Sequence, residues 1–443
     1  MSEPNSLSRR DFVKTAGTAA AASLVLGGGS LASGQGRRRR YAMVGTGHRG
    51  SSMWGADLAK NYGDVLEFVG LADTNPKRMA AAKVLMGVSC PTFTSFDEMV
   101  ERTRPEVLMV TTVDSTHVEY ITRALDRGID VITEKPMVTD EKQVKAVLDA
   151  QRRNKSRVIV AHNYRYAPKH QKIKEILAAG EIGPVTSVDF SWYLDTGHGA
   201  DYFRRWHRLK SKGGSLWVHK ASHHFDLINW WLGADPVEVS AYGELNVYGK
   251  AGPFRYTHCR PCPHKAKCPF YWDITKNERL MKLYAQAEDV DGYRRDGCVF
   301  REEVDIYDTM SAVVKYSNGV QMNYSLNASM PMEGYSLAFN GEGGRLEIRD
   351  YERQPFKVED DSETYLMKNF TGKRVKIDMP IIKGGHAGGD DRLRDVIFRN
   401  VNVPEYMRLP DARAGAMSVL TGVAARTSIE KRRPVKINEL IKL

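Results

Sequence analysis

Tyr41-Ala42-Met43-Val44-Gly45-Thr46-Gly47-His48-Arg49-Gly50 is the stretch on which the fold of this chain turns. Four residues of strand type run straight into a glycine-x-glycine-x-x-glycine turn, and a helical pattern follows over 51–60. Gly45 permits the tight turn, Gly47 lets the backbone approach a pyrophosphate, and Gly50 lets the helix pack closely on the strand. The anion then lies on free backbone amides, where the helix dipole favours negative charge. A second apolar run, 66–72, ends on Asp73, which is placed to accept hydrogen bonds from the adenosine ribose. An acid there repels a 2′-phosphate, so NAD is favoured over NADP. Thr46, His48 and Arg49 complete the turn and join the three glycines and Asp73 as cofactor-binding candidates.

Outward from the loop, short apolar runs alternate with helical stretches, the pattern of βαβ units and a parallel sheet. Strands are expected over 107–113, 130–133 and 158–162, with helices over 116–127 and 140–154. Residues 41–166 thus read as an NAD-binding Rossmann domain. Residues 1–40 read differently. Ser8-Arg9-Arg10-Asp11-Phe12 precedes an alanine- and glycine-rich run from Ala16 to Gly29, and Arg37 to Arg40 form a basic linker. A twin-arginine pair ahead of an apolar run is an export signal, which predicts a periplasmic or otherwise exported protein and the twin-arginine machinery as a partner. That route carries folded chains, so the cofactor is expected to travel with the protein. The run is too short to span a bilayer. At 443 residues and 42% hydrophobic content the chain can bury a large core. The net charge of +11 is spread over helices without aromatic interleaving, so nucleic-acid binding is not expected.

Glu134-Lys135-Pro136 ends the strand 130–133, at the sheet edge where ligands bind in open α/β folds. Together with Thr116-His117, His162-Asn163-Tyr164-Arg165-Tyr166-Ala167-Pro168, and Gly213-Gly214 followed by His223, Asp226 and Trp231-Leu232-Gly233, these residues resemble the Gfo/Idh/MocA family of NAD(P)-dependent sugar oxidoreductases. The resemblance covers nearly everything from Tyr41 to the C-terminal helix. It implies that Lys135 lies beside the nicotinamide and the substrate hydroxyl, that His223 is the catalytic histidine, and that Thr112, His117, Glu134 and Arg165 line the cofactor cleft. A helical period over 216–232 places His219, His223 and Asp226 on one face. The family pattern has an aspartate where this chain has His219, so a fixed negative charge is lost there; either His219 shares the proton-transfer work or this branch handles a different substrate hydroxyl. The alternative of a metal on His219 and His223 needs a third ligand, such as His198 or Asp226.

Beyond residue 166 period-2 segments dominate, over 185–194, 237–247, 305–316, 319–328 and 335–340, and predict one large, mainly antiparallel open sheet in an α+β domain, 167–443. In the family this sheet covers the cleft and often forms a dimer face, which implies a homo-oligomer, dimer or tetramer. A final helix, 412–431, is expected to return to the first domain. Tyr193, Asp195, His198, Tyr202, Arg204, Trp206 and His207 read as a loop of sugar-binding types, with His224 and His386 as further substrate candidates. An insertion, 252–303, holds Cys259, Cys262, Cys268 and Cys298. A structural zinc is the leading reading of this spacing, with disulfides and an iron–sulfur cluster as alternatives. The fold expected is therefore an α/β Rossmann domain plus an α+β domain. The expected activity is oxidation of a ring hydroxyl, or reduction of a keto group, of a sugar or glycoside with a tightly held cofactor. An NAD-dependent glycosidase cycling through oxidation, elimination, addition and reduction is the alternative, and a non-enzymatic sugar-binding protein the third possibility.

Overall fold

A computed structural model describes residues 37–442. Arg9, Arg10 and the apolar run behind them, which carry the export reading, lie outside the described residues.

Six strands, β1 (Arg39–Val44), β2 (Leu66–Ala72), β3 (Thr92–Phe93), β4 (Val107–Val110), β5 (Asp130–Thr133) and β6 (Val158–Val160), form a sheet in the order β3-β2-β1-β4-β5-β6. Every pairing is parallel. Tyr41 to Val44 are buried, as a strand covered on both faces requires. The strand order reverses direction between β1 and β4, and this switch point is where open α/β sheets bind ligands. Asn75, Ser95 and Asp140 cap the helices Pro76–Met86, Phe96–Thr103 and Glu141–Arg153 by accepting a backbone N–H in the first turn.

Two departures concern the cleft. The helix expected over 51–60 runs in three pieces, His48–Ser51, a π-helical Ser52–Ala56, and Asp57–Asn61. Gly55 lies within the wide turn, and a Cβ there would stand 2.6 Å from Met86 Cγ. β4 stops at Val110 instead of 113, because Thr111 turns its hydroxyl onto the Gly45 carbonyl at 2.5 Å.

The second sheet has nine strands, β7 (Val185–Asp195), β8 (Pro236–Glu244), β9 (Thr309–Tyr316), β10 (Gln321–Met330), β11 (Glu333–Gly341), β12 (Gly344–Arg353), β13 (Ser362–Lys368), β14 (Arg374–Lys376) and β15 (Val435–Lys436), in the order β14-β13-β12-β11-β7-β10-β9-β8-β15. β7 and β10 pair in parallel and the other pairings are antiparallel. The chain is thus a Rossmann domain joined to an α+β domain with a large, mainly antiparallel sheet. On β7, Val188, Phe190, Trp192 and Leu194 are buried against the helices. Tyr193 points to the opposite face by strand alternation, so it is not a cleft residue.

The helix Ala412–Lys431 ties the halves together. Its Gly415 packs on Met137 and Val160 of the first domain, and Gly422 packs on the Trp217 carbonyl of the second, where a Cβ would be 2.2 Å from the oxygen. Among the described residues no helix is long and apolar enough to cross a membrane.

Candidate active site

The glycine loop is built as a cradle. Gly45 has φ +87°, and a Cβ on it would stand 2.6 Å from Thr112 N. A Cβ on Gly50 would stand 2.4 Å from the Gly45 carbonyl oxygen. Asp73 is fixed beside it: its Oδ2 accepts from Thr46 N at 2.8 Å and Thr46 Oγ1 at 3.0 Å, and its Oδ1 from Asn75 N at 2.9 Å. A turn with no room for side chains and an acid at the ribose end fit a dinucleotide, held by Gly45, Gly47, Gly50, Asp73 and the amide of His48.

Five expected cofactor contacts are engaged as braces within the protein. Arg49 Nε donates to Glu134 Oε1 at 2.5 Å, and its Nη2 to Asp390 Oδ1 at 3.0 Å. Glu134 also accepts from Trp54 Nε1 at 2.7 Å, and although burial works to raise it, Arg49 holds the carboxyl below its usual range. Arg165 makes a bidentate pair with Asp226, at 2.7 and 2.6 Å, which leaves its guanidinium no freedom for a phosphate. His117 is buried with Nδ1 3.0 Å from the Pro136 carbonyl and Nε2 3.3 Å from that of Thr112, so it fastens the end of β5 to the end of β4. Thr112 Oγ1 accepts from Thr116 Oγ1 at 2.8 Å within the turn after β4.

Lys135, half-buried at the end of β5, donates through Nζ to the His219 carbonyl at 3.1 Å. The His219 ring meets a partner the sequence reading missed: its Nδ1 lies 2.5 Å from Asp114 Oδ2, on the short turn Asp114–Thr116 after β4. The carboxyl absent from position 219 is therefore supplied from the other domain. Burial raises the Asp114 carboxyl well above its usual range, against the pull of Lys135. Burial, and then Lys135, lower the His219 ring. Burial lowers the Lys135 ammonium to about 8, with Asp114 and Glu134 opposing the shift.

His219 and His223 do not share one helical face. The helix breaks at Lys220 into Leu216–His219 and Ala221–Leu232. The His219 ring packs against His207 at 4.0 Å and Tyr202 at 5.5 Å, whereas that of His223 packs against Tyr164 at 4.6 Å and His386 at 5.4 Å. Both His223 nitrogens are buried without a partner among the described residues, and burial followed by Lys135 pushes the ring well below its usual value. With Asp226 held by Arg165 and His198 by Glu333, the third ligand of a metal on these histidines has other work.

The expected sugar-binding loop is the end of β7, the helix Thr196–Arg204 capped by Asp195, and the turn Trp206–Arg208. His198 reaches Glu333 through Nδ1 at 2.7 Å and Tyr202 Oη through Nε2 at 3.0 Å. Tyr202 and Trp206 both present edges to the His219 ring. Arg204 turns away, donating to Cys259 Sγ at 3.1 Å, and is not a substrate residue. His224 is core: it stacks on Trp192 at 4.2 Å and meets Tyr324 Oη at 2.7 Å. His386 lies beside Tyr164 and His223, with Nδ1 2.9 Å from Asn163 Nδ2. Lys220, also missed, places its Nζ 4.8 Å from the Trp192 ring.

Cys259, Cys262, Cys268 and Cys298 line one small cavity with His258, and all are free thiols. No three His, Cys, Asp or Glu side chains among the described residues stand in metal-binding geometry. The Arg204 guanidinium donates to the Cys259 sulfur at the wall of this cavity.

The parallel sheet with its glycine cradle, closed by a lysine and the His219–Asp114 pair, defines a two-domain protein with the build of an NAD-binding oxidoreductase. The chain belongs to the Gfo/Idh/MocA oxidoreductase family: residues 39–162 match its NAD-binding Rossmann fold and residues 174–437 its C-terminal alpha/beta domain. It is similar to YteT of Bacillus subtilis (strain 168), a protein named as an oxidoreductase, at 40% identity over 426 residues, 91% of this chain and 99% of that one. The inositol 2-dehydrogenase of Rhizobium meliloti (strain 1021) is 25% identical over 48% of this chain and 62% of its own length. The WlbA dehydrogenase of Bordetella pertussis, solved with NADH and UDP-GlcNAcA, shares the fold with a TM-score of 0.63 at 19% identity, covering 92% of this chain and 100% of that one.

Proposed function

We propose that this chain oxidises a ring hydroxyl, or reduces the corresponding keto group, of a sugar or glycoside, with a tightly held NAD regenerated in place. The observation that carries the reading is Lys135 on the carboxyl edge of the parallel sheet, bonded to the His219 carbonyl, with the His219 ring 2.5 Å from the Asp114 carboxyl. A bound nicotinamide supplies the two-electron acceptor or donor. The chain's own residues handle the proton. Lys135, lowered to about 8 by burial, takes the hydroxyl proton in one direction and returns it in the other. His219 and Asp114 hold it in place: the backbone of His219 fixes the amine, and the Asp114 carboxyl favours its charged form. His223, with both nitrogens unpartnered, offers a hydrogen bond to a second substrate hydroxyl. Tyr202, Trp206, His198 and His386 supply the aromatic and polar wall suited to a sugar ring.

The family, and the polyol named in the inositol 2-dehydrogenase relative, support a carbohydrate-like substrate. The arginine pair at Arg9-Arg10 supports export by the twin-arginine route. The outer face of the large sheet exposes Tyr242 at 78% and Val313 at 45%, which supports a homo-oligomer through that face.

The test is to incubate purified, dialysed protein with a panel of sugars and glycosides while following NADH absorbance and the products. Keto-sugar formation with stoichiometric NADH is the expected result. Free sugar released without net NADH supports the glycosidase alternative, and silence with every substrate overturns both.

A further inference from the structure

The cysteine-rich insertion reaches the nucleotide loop. Within it, residues 274–293 form two short turns and the helices Glu278–Leu283 and Glu288–Asp291, with Ile274, Leu280, Leu283 and Ala287 buried. The Tyr284 hydroxyl accepts from the backbone N–H of His48 at 2.7 Å, and a Cβ built on Gly47 would stand 3.0 Å from the same oxygen. That hydroxyl therefore lies where the loop's second glycine lets a pyrophosphate approach. Arg279 Nη2 donates to the His48 carbonyl at 3.1 Å, and its Nε is buried without a partner among the described residues. The segment also closes over the ribose end. Asn75 Nδ2 donates to the Ala287 carbonyl at 2.8 Å, and Arg78 bridges Asp73 (3.4 Å) to Asp291 (2.7 Å). At its far side Arg260 anchors the segment to the cysteine knuckle through Glu288 and Asp296.

These contacts have one direction. Tyr284 and Arg279 join the insertion to the glycine loop, Ala287 and Asp291 join it to Asn75 and Arg78 beside Asp73, and Arg279 adds a cation at the loop. His48 is exposed, so burial counts for little there, but Arg279, Arg295, Arg205 and Arg49 all push its ring below the usual value, which marks a positive field at the loop.

We propose that residues 274–293 are a lid over the dinucleotide site, with Tyr284 and Arg279 as cofactor-contacting residues, so that the cofactor exchanges only when this segment lifts. The inference rests on the reading that the glycine loop holds a dinucleotide. On binding, the His48 amide passes from the Tyr284 hydroxyl to a phosphate oxygen, and Arg279 turns its unpaired N–H to the same anion.

The test uses the full chain loaded with NADH and chased with excess NAD, following NADH fluorescence. Tyr284→Ala and Arg279→Ala are each expected to speed release about tenfold or more, the size of losing one hydrogen bond to a charged group, with the change in the dissociation rate. Tyr284→Phe separates the hydroxyl from the ring. Hydrogen exchange over 274–293 is expected to slow when NADH is bound. Failure of NADH to bind wild-type protein overturns the dinucleotide reading itself. Binding with the same release rate in wild type and folded variants overturns the lid alone.

Discussion

Lys135, His219 and Asp114 come from three places in the chain, the end of β5, a short helix in the second domain, and the turn after β4. Their protonation sets the pH dependence. Below about 8 the Lys135 amine carries its proton and cannot take another. The oxidation rate should therefore rise with pH through about 8 and level off, and the reduction rate should fall over the same interval. Lys135→Ala should remove that inflection and lower kcat by about 100- to 10,000-fold, the range of a positioned acid–base group, with NADH binding retained by fluorescence titration. Asp114 favours the charged lysine, so Asp114→Asn should move the inflection to lower pH, and Asp114→Glu should partly restore it. An unmoved profile in Asp114→Asn would exclude its role in positioning the base. His219 and Lys135 were legible because their motifs are local. Asp114 was not, since its partner lies 105 residues away, although its place just beyond the carboxyl end of β4 was the available signal. Arg49, Glu134 and Arg165 sit in the right segments, but a sequence does not show that Glu134, Asp390 and Asp226 already occupy their charges.

At the scale of elements, what the sequence reading anticipated well was whatever depends on neighbouring residues. β2, β5 and the helix Ala412–Lys431 fall on their expected bounds, because apolar period and glycine chemistry act within a turn or a strand. The break at Lys220 was hidden, since the apolar period continues through it. Strand β12 was not anticipated, although Leu346 and Ile348 alternate with Arg345, Glu347 and Arg349. The pattern extends from the buried to the exposed face of the sheet, and charge there obscured it. The C-terminal helix then fixes the catalytic segment from behind. A methyl group at Gly422 would be 2.2 Å from the Trp217 carbonyl, two residues before His219. Gly422→Ala should cost about 1–3 kcal/mol, the usual range for overpacking a filled contact, and should lower kcat as well. Chemical denaturation and turnover measure the two effects. Stability lost without any change in turnover would show that the helix supports the fold but not the site.

For the whole molecule, the arginine pair at the start and the segment over the glycine loop point the same way. If the chain is exported as proposed, it has no pool of free dinucleotide to draw on, and Tyr284 and Arg279 bond to the loop at which one would exchange. A cofactor so placed must be restored within the site after each oxidation. The protein purified from an exported fraction and dialysed should then retain close to one dinucleotide per chain. A reducing sugar alone should convert that dinucleotide once, giving a single burst of NADH absorbance and no steady rate. Adding a second, carbonyl-bearing sugar should discharge the absorbance and begin continuous turnover, with the two sugars consumed in equal amounts. Two measurements decide between this and a freely exchanging dehydrogenase: the amplitude of the burst against the protein concentration, and the effect of added NAD on the steady rate. A burst matched to the bound cofactor and a rate indifferent to added NAD are what the enclosed site requires. A rate that climbs with added NAD and needs no second sugar would mean that the segment over the loop opens freely.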